Sequence, residues 1–75
     1  SELINKPIKE VTFDIKTEKQ LDEISNFLSK NGETLVNIVF LKDDKNLIFQ
    51  LENKRNLDRK TLNLIRNKEI SATIS

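Results

Sequence analysis

The sequence lacks the side chains on which most enzymes depend. Its 75 residues include no His, no Cys and no Tyr, although most general-base and nucleophilic mechanisms near neutral pH use a group of this kind. Zinc, copper and iron sites also draw chiefly on Cys and His ligands. We therefore expect no catalytic residue, no metal site, no cofactor and no small-molecule ligand in this chain.

Other absences bear on compartment and domain organisation. Without Cys no disulfide can form, which suits a reducing cytosol. No apolar run approaches the roughly 18 residues of a membrane span, and no signal-peptide core is found near the start. We expect a cytoplasmic protein without membrane contact. The only proline is Pro7, so residues 1–7 are interpreted as the end of a linker and residues 8–75 as one domain.

The first half of the chain predicts a strand followed by a helix. In residues 8–15 the apolar side chains alternate with polar ones, as in a strand with one buried face; they are Val11, Phe13 and Ile15. Thr17 and Gln20 fit a capping box at the start of a helix over 18–30. Gly32 is the only glycine, and we expect it to end this helix in a left-handed conformation.

A hairpin is predicted next, with strands over 34–41 and 47–52. If Asp44 and Lys45 are the central turn residues, Phe40 lies opposite Phe49. The pair Asp43-Asp44 is then a solvated turn rather than a site for a hard cation. In this register one face of the hairpin continues the apolar stripe of the first strand into a single core, through Val36, Ile38, Phe40, Leu47, Phe49 and Leu51.

The last part of the chain predicts a helix and a strand. Asp58 is a suitable N-cap for a helix over 59–67, and apolar and polar residues alternate over 70–75. The resulting order β-α-β-β-α-β predicts an α+β, two-layer, ferredoxin-like sandwich. Its four-stranded sheet would carry two helices on one face, with a split β-α-β unit and the second strand at an edge.

Two surfaces are candidates for function. The predicted register leaves four apolar residues on the sheet face opposite the helices, which favours a protein contact unless the tail or the hairpin covers them; they are Leu35, Val39, Leu41 and Ile48. The second surface is basic, because residues 54–75 carry a net charge of +4 and residues 1–53 a net charge of −3. It suits phosphates or an acidic partner, or it is simply a solvated helix face; its residues are Lys54, Arg55, Arg59, Lys60, Arg66 and Lys68. RNA binding by base stacking is disfavoured, because Phe13 and Phe49 are predicted in the core of central strands.

Residues 32–41 (GETLVNIVFL), the Asp43-Asp44 turn and residues 47–51 (LIFQL) resemble the C-terminal domain of the alpha subunit of bacterial DNA polymerase III, most closely its alphaproteobacterial forms. The layout of residues 54–74 is also similar. The chain departs from the family at Lys45 and Asn46, where a glycine is common, and at Arg55, where an aromatic residue is common.

This resemblance implies a non-catalytic module of a replicative polymerase. The nucleotidyltransferase site would lie far upstream in the parent chain, and no catalytic residue carries over to this part. In the family this region contacts the tau subunit of the clamp loader, so the resemblance implies tau as the partner, with DNA a further one through the basic residues. Two other interpretations stay open: an auxiliary nucleic-acid-binding module, and a small regulatory domain of the ferredoxin-like class that binds a metabolite and dimerises through its sheet.

Overall fold

The alternating and helical patterns of the sequence become strands and helices in the predicted order. The structure is a computed structural model and describes residues 8–74. The elements of this range are β1 (Glu10–Ile15), α1 (Glu18–Phe27), β2 (Asn31–Lys42), β3 (Lys45–Gln50), α2 (Arg59–Arg66) and β4 (Ser71–Ile74). Residues 1–7, interpreted as a linker, and Ser75 lie outside the described residues.

Residues 8–74 form an α+β, two-layer sandwich, as predicted, in which a four-stranded mixed sheet carries two helices on one face. The layers and element order are consistent with the ferredoxin-like class. The strand order is β3-β2-β1-β4, with β1 and β2 parallel and the other pairs antiparallel. The expectation of a split β-α-β unit with β2 at an edge is therefore wrong, because β2 lies inside the sheet and β3 forms the edge. Element order leaves both arrangements open, and the longer β2 occupies the interior position.

The core lies between the helices and the two interior strands. Buried side chains come from β1 and β2, from both helices and from the segments beside them; the strand residues among them are Val11, Phe13, Ile15, Val36, Ile38 and Phe40. Leu47 and Phe49 lie on the same face of the sheet but are exposed. Since α1 packs on β1 and α2 on β4, the helices leave β3 uncovered, and the prediction of one continuous core is wrong for these two residues.

Helix α1 begins at the predicted N-cap Thr17, but only one half of the predicted capping box is formed. The Gln20 N–H donates to Thr17 Oγ1 at 3.2 Å, and Gln20 Oε1 accepts from the N–H of Lys16 at 2.7 Å. The Thr17 bond satisfies a donor that the first turn leaves unpaired, whereas the Gln20 side chain pairs the N–H of Lys16, the residue before the N-cap. The helix ends at Phe27, three residues before the predicted end, with Leu28 as its C-cap.

Gly32 has a different role from the one predicted. It lies within β2, and its φ is not positive, so it does not end α1 in a left-handed conformation. A Cβ at this position would lie 2.4 Å from Cα of Asn56. Glycine is needed here because two backbone segments pass too close for any side chain.

The hairpin turn is confirmed as a solvated two-residue turn, but its centre is Asp43-Asp44. Both residues have positive φ, 53° and 61°, as a type I′ turn requires. Lys42 consequently pairs with Lys45, and the predicted pairing of Phe40 with Phe49 is wrong. The register differs from the predicted one by two residues, which leaves every side chain on its predicted face.

Helix α2 begins at the predicted N-cap. Asp58 Oδ1 accepts from the N–H of Thr61 at 2.7 Å, and this hydrogen bond lowers the pKa of the Asp58 carboxyl below its usual value. Leu57 and Leu62, on either side of the cap, are both buried in the core. Neither of the helices in residues 8–74 has the length and apolar character needed to cross a bilayer.

Candidate functional site

The sheet face opposite the helices carries a contiguous apolar patch. Val39 on β2 lies opposite Ile48 on β3, and Leu41 is the next residue of β2 on that face. Val39 is half-buried, whereas Leu41 and Ile48 expose 46% and 72% of their surface. These three residues, called here the free-face patch, lie at the hairpin end of the sheet. Within residues 8–74 the hairpin itself leaves them open to solvent.

Leu35 does not belong to this patch, although the sequence predicted it as a fourth member. Asn37 stands between Leu35 and Val39 on the same face of β2. Its Nδ2 donates to Oε2 of Glu10 at 2.7 Å, and its Oδ1 accepts from Nε2 of Gln50 at 2.7 Å. This row of hydrogen bonds runs across three strands and separates the half-buried Leu35 from the free-face patch.

The sequence shows Asn37, Glu10 and Gln50 only as separate polar residues in strands. Their hydrogen-bonded row depends on the parallel pairing of β1 with β2 and on the hairpin register. Because side chains alternate between the two faces of a strand, the sequence does indicate that Asn37, Glu10 and Gln50 share a face. Their contact could have been found only with the correct strand order.

An open cleft of about 450 Å³ adjoins the patch between the start of α1 and the end of β2, and it is lined by residues 16–18 and 40–43. Glu18 and Lys42 face each other across it, with 3.7 Å between Oε1 and Nζ. Both side chains are largely exposed, so this ion pair contributes little to stability. The cleft extends the surface around Leu41 with charged groups of both signs. In the described part of the chain, no three acidic side chains are grouped as a metal site.

The structure divides the predicted basic surface into two groups. Arg55 is half-buried and donates to the backbone oxygens of Leu28 and Asn53, at 3.1 and 3.2 Å. Arg66 Nη2 donates to the backbone oxygen of Ala72 at 3.0 Å. These two guanidinium groups connect the ends of α1 and α2 to neighbouring segments, so their first role is structural.

The other basic residues are exposed, and two of them occupy an unusual position. Arg59 and Lys60 form the start of α2, whose first turn contains no acidic residue. A helix N-terminus carries a partial positive charge, so cations are disfavoured there. The Asp58 carboxylate caps the same turn and offsets part of this positive potential, so any attraction for a phosphate or an acidic group comes from the exposed Arg59 and Lys60 side chains. Lys54 and Lys68 are exposed as well.

The phenylalanines do not form a base-stacking platform on the free face. Phe13 is buried beneath the helices, as predicted. Phe49 lies on the edge strand and is 38% exposed on the helix side, so its predicted position in the core of a central strand is wrong.

The fold and its surfaces define a small α+β domain with an apolar patch on one sheet face and a basic helix end. A search against models of known protein families finds no match, and no curated protein sequence matches the chain either.

Proposed function

We propose that this domain is a non-catalytic protein-binding module from the C-terminal part of a bacterial DNA polymerase III alpha subunit, with the clamp-loader tau subunit as its partner. The observation that carries the binding role is the free-face patch. Two of its side chains are large, apolar and exposed, on a domain whose core is small. Exposed apolar patches of this kind are typical of protein contacts. The identity of the partner rests on the sequence resemblance.

The position of the patch also supports protein binding. It lies on a flat, two-strand surface at the hairpin end, where Val39, Leu41 and Ile48 are backed by the rigid pairing of β2 with β3. The hydrogen-bonded row through Asn37 borders it on one side and the cleft at Lys42 on another. An apolar centre with a polar rim is the usual arrangement of a protein interface.

Calorimetric titration with a C-terminal fragment of tau tests the proposal. We expect a dissociation constant in the micromolar range or below. Leu41→Lys and Ile48→Lys should each weaken binding at least tenfold, because each places a charge in the apolar centre of the contact. Thr73→Lys is the matched control, since Thr73 is exposed on the same sheet face at the opposite edge. Absence of binding to tau, or equal weakening by all three changes, would refute this role.

A second candidate function is nucleic-acid binding at the start of α2, favoured by the two exposed cations Arg59 and Lys60, which follow the N-cap Asp58. Such binding depends steeply on salt, because phosphate contacts release counterions. Titration of single-stranded DNA at low and moderate salt should show this slope, and Arg59→Glu with Lys60→Glu should abolish binding. The control pair is Lys16→Glu with Lys19→Glu, which changes net charge equally elsewhere. Equal effects of the two pairs would argue against a specific site.

A further inference from the structure

The outer edge of β3 presents unpaired backbone groups at alternate residues. The N–H of Leu51 donates to the backbone oxygen of Val36 at 2.9 Å, so the odd-numbered residues of the strand direct their hydrogen-bonding groups towards β2. The N–H and C=O groups of Asn46, Ile48 and Gln50 consequently point away from the sheet. Within the described residues no further strand lies beyond β3.

Apart from Lys45 at its first position, this edge lacks the features that normally keep strand edges apart. From Asn46 to Gln50 the strand contains no charged residue and no proline, whereas proteins usually protect an open edge with lysine, proline, a bulge or a covering loop. Its side chains are apolar on both faces: Leu47 and Phe49 lie on the helix side, and Ile48 lies on the free face. All three are exposed, with Leu47 at 51%.

We infer that β3 pairs edge to edge, antiparallel, with β3 of a second copy of this chain, so that two sheets join into one. The strand is complementary to itself about Ile48. With Ile48 opposite Ile48 of the second copy, Asn46 lies opposite Gln50 and Leu47 opposite Phe49. Every outward N–H and C=O of the strand then has a partner, because the even-numbered residues form the hydrogen-bonded pairs.

The side chains agree with this register. On the helix side of the joined sheet, Leu47 and Phe49 of both copies form one apolar cluster between the two pairs of helices. On the free face the two Ile48 side chains meet. No charged side chains face each other along Asn46–Gln50; beyond the strand, Asp44 of one copy lies opposite Glu52 of the other, and both are exposed. Shifting the strands by one pair would bring Gln50 opposite Asp44 in the turn, or Asn46 opposite Glu52 beyond the end of β3, and outward groups would lose their partners. The register centred on Ile48 therefore uses the edge most completely.

The backbone groups of this edge fit any antiparallel strand, but the side-chain pairs fit a second copy, because amide side chains meet amide side chains and apolar ones meet apolar ones. A seam of this length buries less than the roughly 800 Å² per partner of a standard stable interface. We therefore expect a reversible dimer with a dissociation constant of about 10 to 500 µM. Pairing joins the two free faces side by side. It brings the two Ile48 side chains together but leaves Val39 and Leu41, one strand further in, uncovered, so this inference goes beyond the proposed tau contact and does not depend on it.

Sedimentation velocity of the 75-residue chain from about 10 µM to 1 mM tests the dimer. Asn46→Pro should weaken self-association at least tenfold, because it removes an outward N–H and places a ring at the seam, whereas it removes no bond within the sheet. Asn46→Ala is the matched control, since it keeps the N–H and should leave the dimer intact. Leu47→Lys, which removes part of the apolar cluster, should also weaken the dimer. None of these changes alters a free-face patch side chain, so tau binding should persist.

The register has its own test, because the chain contains no Cys. Ile48→Cys places two thiols opposite each other at a Cα separation of about 5.5 Å, within disulfide range. Gln50→Cys places its two thiols about 13 Å apart along the seam, since each residue of a strand spans roughly 3.3 Å. Mild oxidation should give a covalent dimer of the first variant and not of the second. A chain that stays monomeric at 1 mM, or a dimer insensitive to Asn46→Pro, would overturn the inference, as would equal cross-linking of both variants.

Discussion

Gly32→Ala tests the close backbone approach at Gly32 directly. The two simpler interpretations of this glycine both predict only a small change in stability. If Gly32 were a left-handed helix terminator, alanine would cost about 1 kcal/mol. If it were an ordinary strand residue, alanine would stabilise the fold by about 0.4–1 kcal/mol through the unfolded state. The structure instead predicts a collision, since the new Cβ would lie 2.4 Å from Cα and 2.6 Å from N of Asn56.

The size of the effect follows from what has to move. Ordinary contact begins at 3.4 Å, so the segment at Asn56 must shift by about 1 Å, and both obstructing atoms are backbone. Two hydrogen bonds hold that segment, from Gly32 N–H to Lys54 O at 3.0 Å and from Asn56 N–H to Lys30 O at 2.8 Å. Losing both costs about 2 kcal/mol, and overpacking alone typically costs about 1–3 kcal/mol. We expect a net loss of about 2–4 kcal/mol after the unfolded-state gain.

Urea denaturation followed by circular dichroism measures this loss, and a thermal scan should show a melting temperature lower by about 10–20 °C. Glu33→Ala is the control, because Glu33 is exposed beside Gly32 and the change adds no atom at the close approach. The control should change stability by less than about 0.5 kcal/mol. A Gly32→Ala variant as stable as the parent chain, or more stable, would contradict the close backbone approach.

Three further predictions follow from single contacts. Thr34→Val should destabilise the fold by about 1–3 kcal/mol in urea denaturation, because the buried Thr34 hydroxyl donates to the backbone oxygen of Ile8 at 2.5 Å; Thr34→Ser should lose less. Asp44→Gly should stabilise the hairpin by up to about 1 kcal/mol, since Asp44 has φ of 61° and glycine adopts this conformation without strain; Lys45→Gly should destabilise it, and the reverse order would favour the turn centred one residue later. The free energy of unfolding should decrease as the pH falls below about 4. The pKa of the Asp58 carboxyl is lower in the folded protein than in the unfolded chain, so its ionised form stabilises the fold above the unfolded pKa, and this contribution is lost as acid protonates the carboxylate. Asp58→Asn caps the helix without ionising and should flatten the pH profile measured by thermal unfolding.

The local features of the fold could be predicted because they depend on neighbours in the chain. A period of two in the apolar residues predicts the strands, and Thr17 and Asp58 mark both helix starts through side chains that accept from the N–H three residues onward. Even the side-chain faces of the hairpin were correct despite an error in register. An error of two residues preserves the alternation of a strand, whereas an error of one would have exchanged its faces.

The features that could not be predicted depend on segments distant in the chain. Gly32 looked like a helix terminator because it follows a helix, and only its approach to Asn56 explains it. Arg55 looked like one more member of a basic surface, and only its hydrogen bond to the backbone oxygen of Leu28 at the end of α1 shows its structural role. In both cases the partner lies more than 20 residues away, beyond the reach of any local pattern.

The edge position of β3 is the feature with the largest consequence for function. Phe40 and Phe49 follow the same alternation and lie on the same face, yet Phe40 is buried and Phe49 exposed, because lateral position in the sheet decides which side chains the helices cover. An apolar residue on the uncovered edge does not add to the core formed by residues 8–74, so its burial requires a partner outside those residues. The free-face patch and the β3 edge share Ile48 but differ in what they bind through. Tau binding would depend on side chains of one face, whereas self-pairing depends on backbone groups that Asn46→Pro removes. Because of that difference, Asn46→Pro should weaken self-association and leave tau binding intact. If Asn46→Pro removed both, the tau contact would itself be a strand pairing at β3.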